Sequence, residues 1–190
     1  MSDEPFGMHG SLRGADEGPV TRGRRLLVLR HAKAEPFGDS DHARALTARG
    51  RESARDVGRH LREAGLLPDF ALVSTATRTR ETWAEVADAS GVDPARAAFD
   101  DALFSGSADV VLDALRGAPP DATTVLFVGH NPIAEYICHF LDDGEGDPAA
   151  VSDLLHGFPP AALAVLQFEL PWSELAAESG RVVGYYVGRS

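Results

Sequence analysis

Three short apolar runs limit what this chain can fold into. They are Leu26-Leu27-Val28-Leu29, Phe70-Ala71-Leu72-Val73 and Thr124-Val125-Leu126-Phe127-Val128. Each is too short for a helix and almost unbroken by polar residues, the pattern of strands buried on both faces. Helical patterns lie between them. From about Thr47 to Ala64, the residues Ala54, Val57, Leu61 and Ala64 recur at three- and four-residue steps and form one apolar face. Thr47 is its candidate N-cap and Gly65 its C-terminal stop. Further along, a helix is expected over 78–90, a short strand near 97–99, and a helix capped by Ser107 running through Leu115. Asn131-Pro132 reads as an N-cap followed by proline at the first helical position, opening a helix to about Leu141. Residues 142–153 read as an acidic loop, and 163–170 and 181–187 as two final strands paired antiparallel. Strands alternating with helices predict an α/β fold, a three-layer α/β/α sandwich around a mostly parallel, mixed central sheet.

The chain has 190 residues, enough for one domain with its own core. Residues 1–24 carry five Gly and two Pro without apolar periodicity and read as a flexible tail, leaving 25–190 as the single domain. There are 18 basic and 29 acidic residues, a formal net charge of -11. That balance argues against nucleic acid and anionic membranes as partners, since both call for a basic footprint. Cys138 is the only cysteine, so neither an intrachain disulfide nor a cysteine-based zinc site is expected. Asp142, Asp143, Glu145 and Asp147 cluster, but without the spacing of a Ca²⁺ loop. No metal and no cofactor is called for. No run approaches the ~20 apolar residues that span a bilayer, and the N-terminus lacks the apolar stretch of a secretory signal. The expected location is the cytoplasm.

The three strands end alike. The first runs into Arg30-His31, the second into Ser74 and then Arg78, the third into Gly129-His130-Asn131-Pro132. In an open α/β sheet, ligands bind beyond the carboxyl ends of the strands. These ends therefore predict one site holding two arginines and two histidines. The helices that follow Ser74 and Asn131 would add unpaired N–H groups. Everything gathered there is a donor or a cation, which suits a phosphoryl group. Arg59-His60 serves as an internal control: it is also an Arg-His pair, but it falls mid-helix with no strand before it. Placement, not the dipeptide, gives Arg30-His31 its weight.

Four segments in order carry a resemblance. Leu27-Val28-Leu29-Arg30-His31-Ala32 is similar to the strand and Arg-His-Gly signature of the histidine phosphatase superfamily. Ser74-Thr75-Ala76-Thr77-Arg78-Thr79-Arg80-Glu81-Thr82 resembles its second motif, and Val128-Gly129-His130-Asn131-Pro132 its second-histidine motif. Arg44-Ala45-Leu46-Thr47-Ala48-Arg49-Gly50 resembles the Arg-Pro-Leu-Thr-x-x-Gly segment of the short SixA-type phosphohistidine phosphatases. The likeness covers about residues 25–170. Ala32 stands where glycine is usual, and Ala45 where proline is.

The resemblance implies His31 as nucleophile, forming a transient phosphohistidine that water hydrolyses. It implies Arg30, Arg78 and His130 as stabilisers of the transferring group, with substrate contacts at Arg44, Ser74, Gly129 and Asn131. Larger relatives use a glutamate as general acid; here the corresponding stretch offers Asp100 and Asp101. Three functions stay open. The first is a phosphatase acting on phosphohistidine in a protein. The second is a phosphatase of small phosphomonoesters such as sugar phosphates or nucleotides. The third is a phosphate-binding regulatory module without turnover.

Overall fold

The computed structural model describes residues 23–190. The segment read as a tail lies outside the described residues except for its last two, and Arg24 already opens the first strand. Six strands form one sheet: β1 (Arg24–Arg30), β2 (Phe70–Ser74), β3 (Ala97–Asp100), β4 (Thr124–Gly129), β5 (Ala162–Phe168) and β6 (Arg181–Val187). Their order is β3-β2-β4-β1-β5-β6. The pairs β3–β2, β2–β4 and β4–β1 are parallel, while β5 runs antiparallel to both β1 and β6. The sheet is thus mixed, as expected.

Alternation along the strands divides the core in two. Leu27, Leu29, Ala71, Val73, Leu126 and Val128 face α1 (Ala48–Glu63) and α2 (Thr77–Ser90), against Ala54, Val57, Leu61, Trp83 and Val86. Leu26, Val28, Leu72, Val125 and Phe127 face the other way. There they meet α4 (Ala108–Arg116), α5 (Ile133–Leu141) and α6 (Pro148–Leu155) through Leu112, Leu115, Ile137, Leu141 and Leu154. A single turn, α3 (Ala102–Ser105), precedes α4. The chain leaves β1 toward one face and β4 toward the other. The crevice between these neighbours is where a doubly wound sheet accepts ligands.

Local signals explain most of the helix ends. Thr47 caps α1 by accepting from the Gly50 N–H at 3.0 Å, and Gly65 follows at φ +66°. A Cβ on Gly50 would fall on the Lys33 carbonyl, so this glycine lets α1 pack against the loop after His31. Ser107 precedes α4 as predicted, in extended backbone, but its side chain makes no cap bond.

Two expectations need correction. The segment 142–153 is not all loop: Asp147 accepts from the Ala150 N–H and, with Pro148 at the first position, starts α6. Asn131 is not the N-cap of α5, which begins at Ile133 after Pro132. Its amide instead donates to Glu135 Oε2 at 2.9 Å and the Phe158 carbonyl at 3.1 Å. Arg51 and Arg55 tie the two helices of this face together, reaching from α1 to Glu81 and Glu85 of α2 at 2.7 and 2.8 Å.

Candidate active site

The adjacent ends of β1, β4 and β2 bring His31, His130 and Ser74 together. Arg30 is in register with Gly129, and the His31 N–H donates to the Gly129 carbonyl at 3.0 Å. His31 is 9% exposed. Its Nδ1 lies 2.8 Å from the Ala32 carbonyl, which can only accept. Nδ1 therefore carries the proton, and Nε2 keeps a free lone pair. Thr82 reinforces this strand end, accepting from the Ala32 N–H at 3.1 Å and donating to the Arg78 carbonyl at 2.6 Å.

The two imidazoles are 5.2 Å apart, centre to centre. Burial, then the charges of Arg78, Arg30 and Arg44, pushes His31 down to about 4 against the pull of the Ala32 carbonyl. Burial, then His31 and Arg78, pushes His130 down to about 3. Both rings are neutral at neutral pH. His130 Nε2 is 2.9 Å from the Ser74 hydroxyl. With Ser74 donating, His130 Nδ1 is a buried donor without a partner among the described residues.

The arginines surround this pair. Arg30 Nη1 donates to the Phe158 carbonyl at 2.8 Å. Arg78, 5% exposed, donates to the Asp41 carbonyl at 2.6 Å and to Asp41 Oδ2 at 3.1 Å. The other Asp41 oxygen meets Arg44 Nε at 3.0 Å. Although burial pulls the other way, the charge and hydrogen bond of Arg78 hold the Asp41 carboxyl below the usual carboxylate range. Arg30 Nε and Arg78 Nε are buried and unpartnered among the described residues. Unsatisfied buried donors are costly and call for an explanation; an anion among these cations is one. Gly129 has a steric reason, since a Cβ there would collide with the Phe127 ring.

The remaining predicted residues divide. Asn131 braces the segment containing Phe158, as described above. Asp100 accepts from the Ala102 N–H at 2.9 Å and so starts α3. The Asp101 carboxylate is 86% exposed and accepts from the Thr75 hydroxyl at 2.6 Å. Arg80, the arginine nearest Arg78 in sequence, is exposed and lies over the Phe99 ring. Sequence reasoning missed Asp41, His42, Thr75, Phe104 and the Phe158 carbonyl. Only Asp41 had a local signal, an acid three residues before Arg44.

Comparison with known proteins agrees with this geometry. The family model for the histidine phosphatase superfamily (branch 1) matches residues 26–103. An uncharacterised protein of Mycobacterium tuberculosis, Rv1276c, is 34% identical over 164 residues, covering 85% of this chain and 100% of that one. A solved structure from Nakamurella multipartitia, described as a candidate phosphohistidine phosphatase SixA, is 32% identical with a TM-score of 0.74. The match covers 88% of this chain and 98% of that one. A similarly described structure from Agrobacterium tumefaciens is 28% identical with a TM-score of 0.70, covering 86% and 97%. With these relatives matched over nearly their whole length, with both histidines and Arg30 at the ends of its central strands and with Arg78 in the first turn of α2, the chain belongs to the histidine phosphatase superfamily.

Proposed function

We propose that the protein is a phosphatase that removes a phosphoryl group through a covalent phosphohistidine on His31, and that its favoured substrate is phosphohistidine in another protein. The observation that carries this is the His31 ring: neutral, its Nδ1 proton held by the Ala32 carbonyl, its Nε2 free among Arg30, Arg78 and His130. In the first step the Nε2 lone pair forms the N–P bond, and the bond to the leaving group breaks with its electron pair. In the second, a water oxygen attacks phosphorus and the N–P pair returns to Nε2. Charge spreads over three equatorial oxygens as the group transfers, and the surrounding guanidinium donors are suited to hold it.

Two observations favour a protein-borne substrate. The arginine cluster is an exception in an acidic chain: the formal net charge is -11, and residues 85–121 hold eight acids and two arginines. A free, highly charged metabolite is repelled on approach, whereas one phosphoryl group on a complementary protein surface suffers less. Phe37, 86% exposed, lines a shallow cleft of about 250 Å³ together with Asp41 and Arg44, an apolar foothold beside the arginines. No described helix is long and apolar enough to cross a membrane, and we place the encounter in the cytoplasm. A phosphate-binding module without turnover would not need the free nucleophilic nitrogen.

The test is an assay in EDTA of wild type and His31→Ala against phosphohistidine protein, sugar phosphates and nucleotides. Phosphohistidine protein is expected to be turned over fastest by wild type and not by the variant. No turnover by wild type of any substrate would defeat the reading, and full activity in His31→Ala would defeat the nucleophile.

A further inference from the structure

A third histidine stands at the rim of the cluster, held by a relay of side chains. Thr75 Oγ1 lies 2.6 Å from Asp101 Oδ1 and 3.0 Å from His42 Nε2. The hydroxyl has one proton, and the carboxylate claims it. His42 Nε2–H must therefore be the donor to Thr75. The chain is His42 Nε2–H to Thr75 Oγ–H to Asp101, a base oriented by a carboxylate through a hydroxyl, the logic by which acid–base residues are held in sites of this kind. The other ring nitrogen, Nδ1, makes no hydrogen bond among the described residues and is the atom free to give up or take a proton.

The location is suited to chemistry. His42 is 40% exposed in its side chain and follows Asp41, which grips Arg78. Its ring packs edge-on against Phe104 at 4.8 Å. Phe104 in turn lies 5.7 Å from the His130 ring and 5.7 Å from the Arg78 guanidinium. His31 lies at the buried floor. In-line attack by Nε2 of the buried His31 expels the leaving group toward solvent, and His42, partly exposed and one aromatic ring from His130, is a histidine of this cluster that solvent reaches.

We propose that His42 is the proton donor to the leaving group, so that the site hydrolyses phosphate esters of alcohols as well as phosphohistidine. This rests on the phosphatase reading above and gives the acid's role to His42, with Asp101 orienting it through Thr75 and Asp100 accepting from the Ala102 N–H. As the P–O bond breaks, its electron pair goes to the leaving oxygen, which takes the Nδ1 proton of His42. In the second step neutral His42 accepts a proton from the attacking water, while the N–P pair returns to His31. Imidazole leaves readily, but an alkoxide does not. The demand for His42 therefore rises with the basicity of the leaving group.

A brace that merely ties the 35–46 loop to the sheet would not show that dependence. The experiment compares wild type, His42→Asn and Thr75→Val on a phosphohistidine peptide, p-nitrophenyl phosphate and a phosphoserine peptide, with the fold checked by circular dichroism. General acid catalysis contributes about 10²–10⁴-fold. The expected loss in kcat/KM for His42→Asn is about 100-fold or more on phosphoserine and roughly tenfold or less on the two better leaving groups. Thr75→Val should give a smaller loss in the same order, and it keeps the test alive should His42→Asn not fold. Equal losses on all three substrates, or no loss on phosphoserine, would overturn the proposal. So would a wild type that hydrolyses phosphohistidine but not phosphoserine. A wild type inactive on every substrate would instead overturn the phosphatase reading on which it rests.

Discussion

Burying two neutral histidines beside three arginines has a cost that acid should reveal. In the folded chain burial holds His31 at about 4, against about 6.5 for a free histidine. As pH falls below 6.5 the unfolded state takes up this proton first, so the folded state loses stability progressively until pH 4. Above 6.5 the contribution is complete, and below 4 no further loss comes from this group. At pH 5 the loss from His31 alone is about 2 kcal/mol. His130, at about 3, behaves in the same sense and reaches lower pH. The assay is urea unfolding of wild type and His31→Gln at pH 7.5 and pH 5. Carboxylates contribute to the acid dependence of both proteins and cancel in the comparison. The wild type should lose about 2 kcal/mol more than the variant between the two pH values. The same loss in both would refute the buried, neutral nucleophile.

Three other perturbations read separate parts of the structure. Arg78→Ala removes a donor expected on the transferring group and should lower kcat/KM by about 10²–10³-fold, measured on whichever substrate wild type turns over fastest. Thr82→Val keeps the shape but strips the partner from the buried Ala32 N–H, and should cost about 1–3 kcal/mol in a thermal or urea melt along with part of kcat. Vanadate, an anion seated among the arginines, should raise the proton affinity of His130. Binding at pH 7 should then take up protons, seen as a buffer-dependent enthalpy in calorimetry, and a buffer-independent enthalpy would contradict it.

What could be read from sequence, and what could not, follows from range. The apolar runs of β1, β2 and β4 were plain because strands buried on both faces need continuous hydrophobicity. Their ends located Arg30, His31, Ser74 and His130 because a doubly wound sheet binds at those ends. Thr47 and Gly65 were legible because capping is local. The same local grammar misled at Asn131-Pro132: Glu135 and the Phe158 carbonyl offered the amide better partners, and the second of these lies 27 residues away. It was overlooked at Asp147-Pro148, where the acidic surroundings hid a helix start. The contacts of His42, Thr75, Asp101 and Phe104 join three separate segments of the chain, and no pattern within any one of them announces the others. The same holds for Asp41, 37 residues from the arginine it holds.

The most direct test of the account is to look for the covalent intermediate. Wild type is mixed with a ³²P-labelled substrate for a single turnover, denatured in alkali, digested and sequenced by mass spectrometry. Acid-labile, alkali-stable phosphate is expected on His31 within the turnover time, and none in His31→Gln. Phosphate on another residue, or steady turnover by His31→Gln, would contradict it.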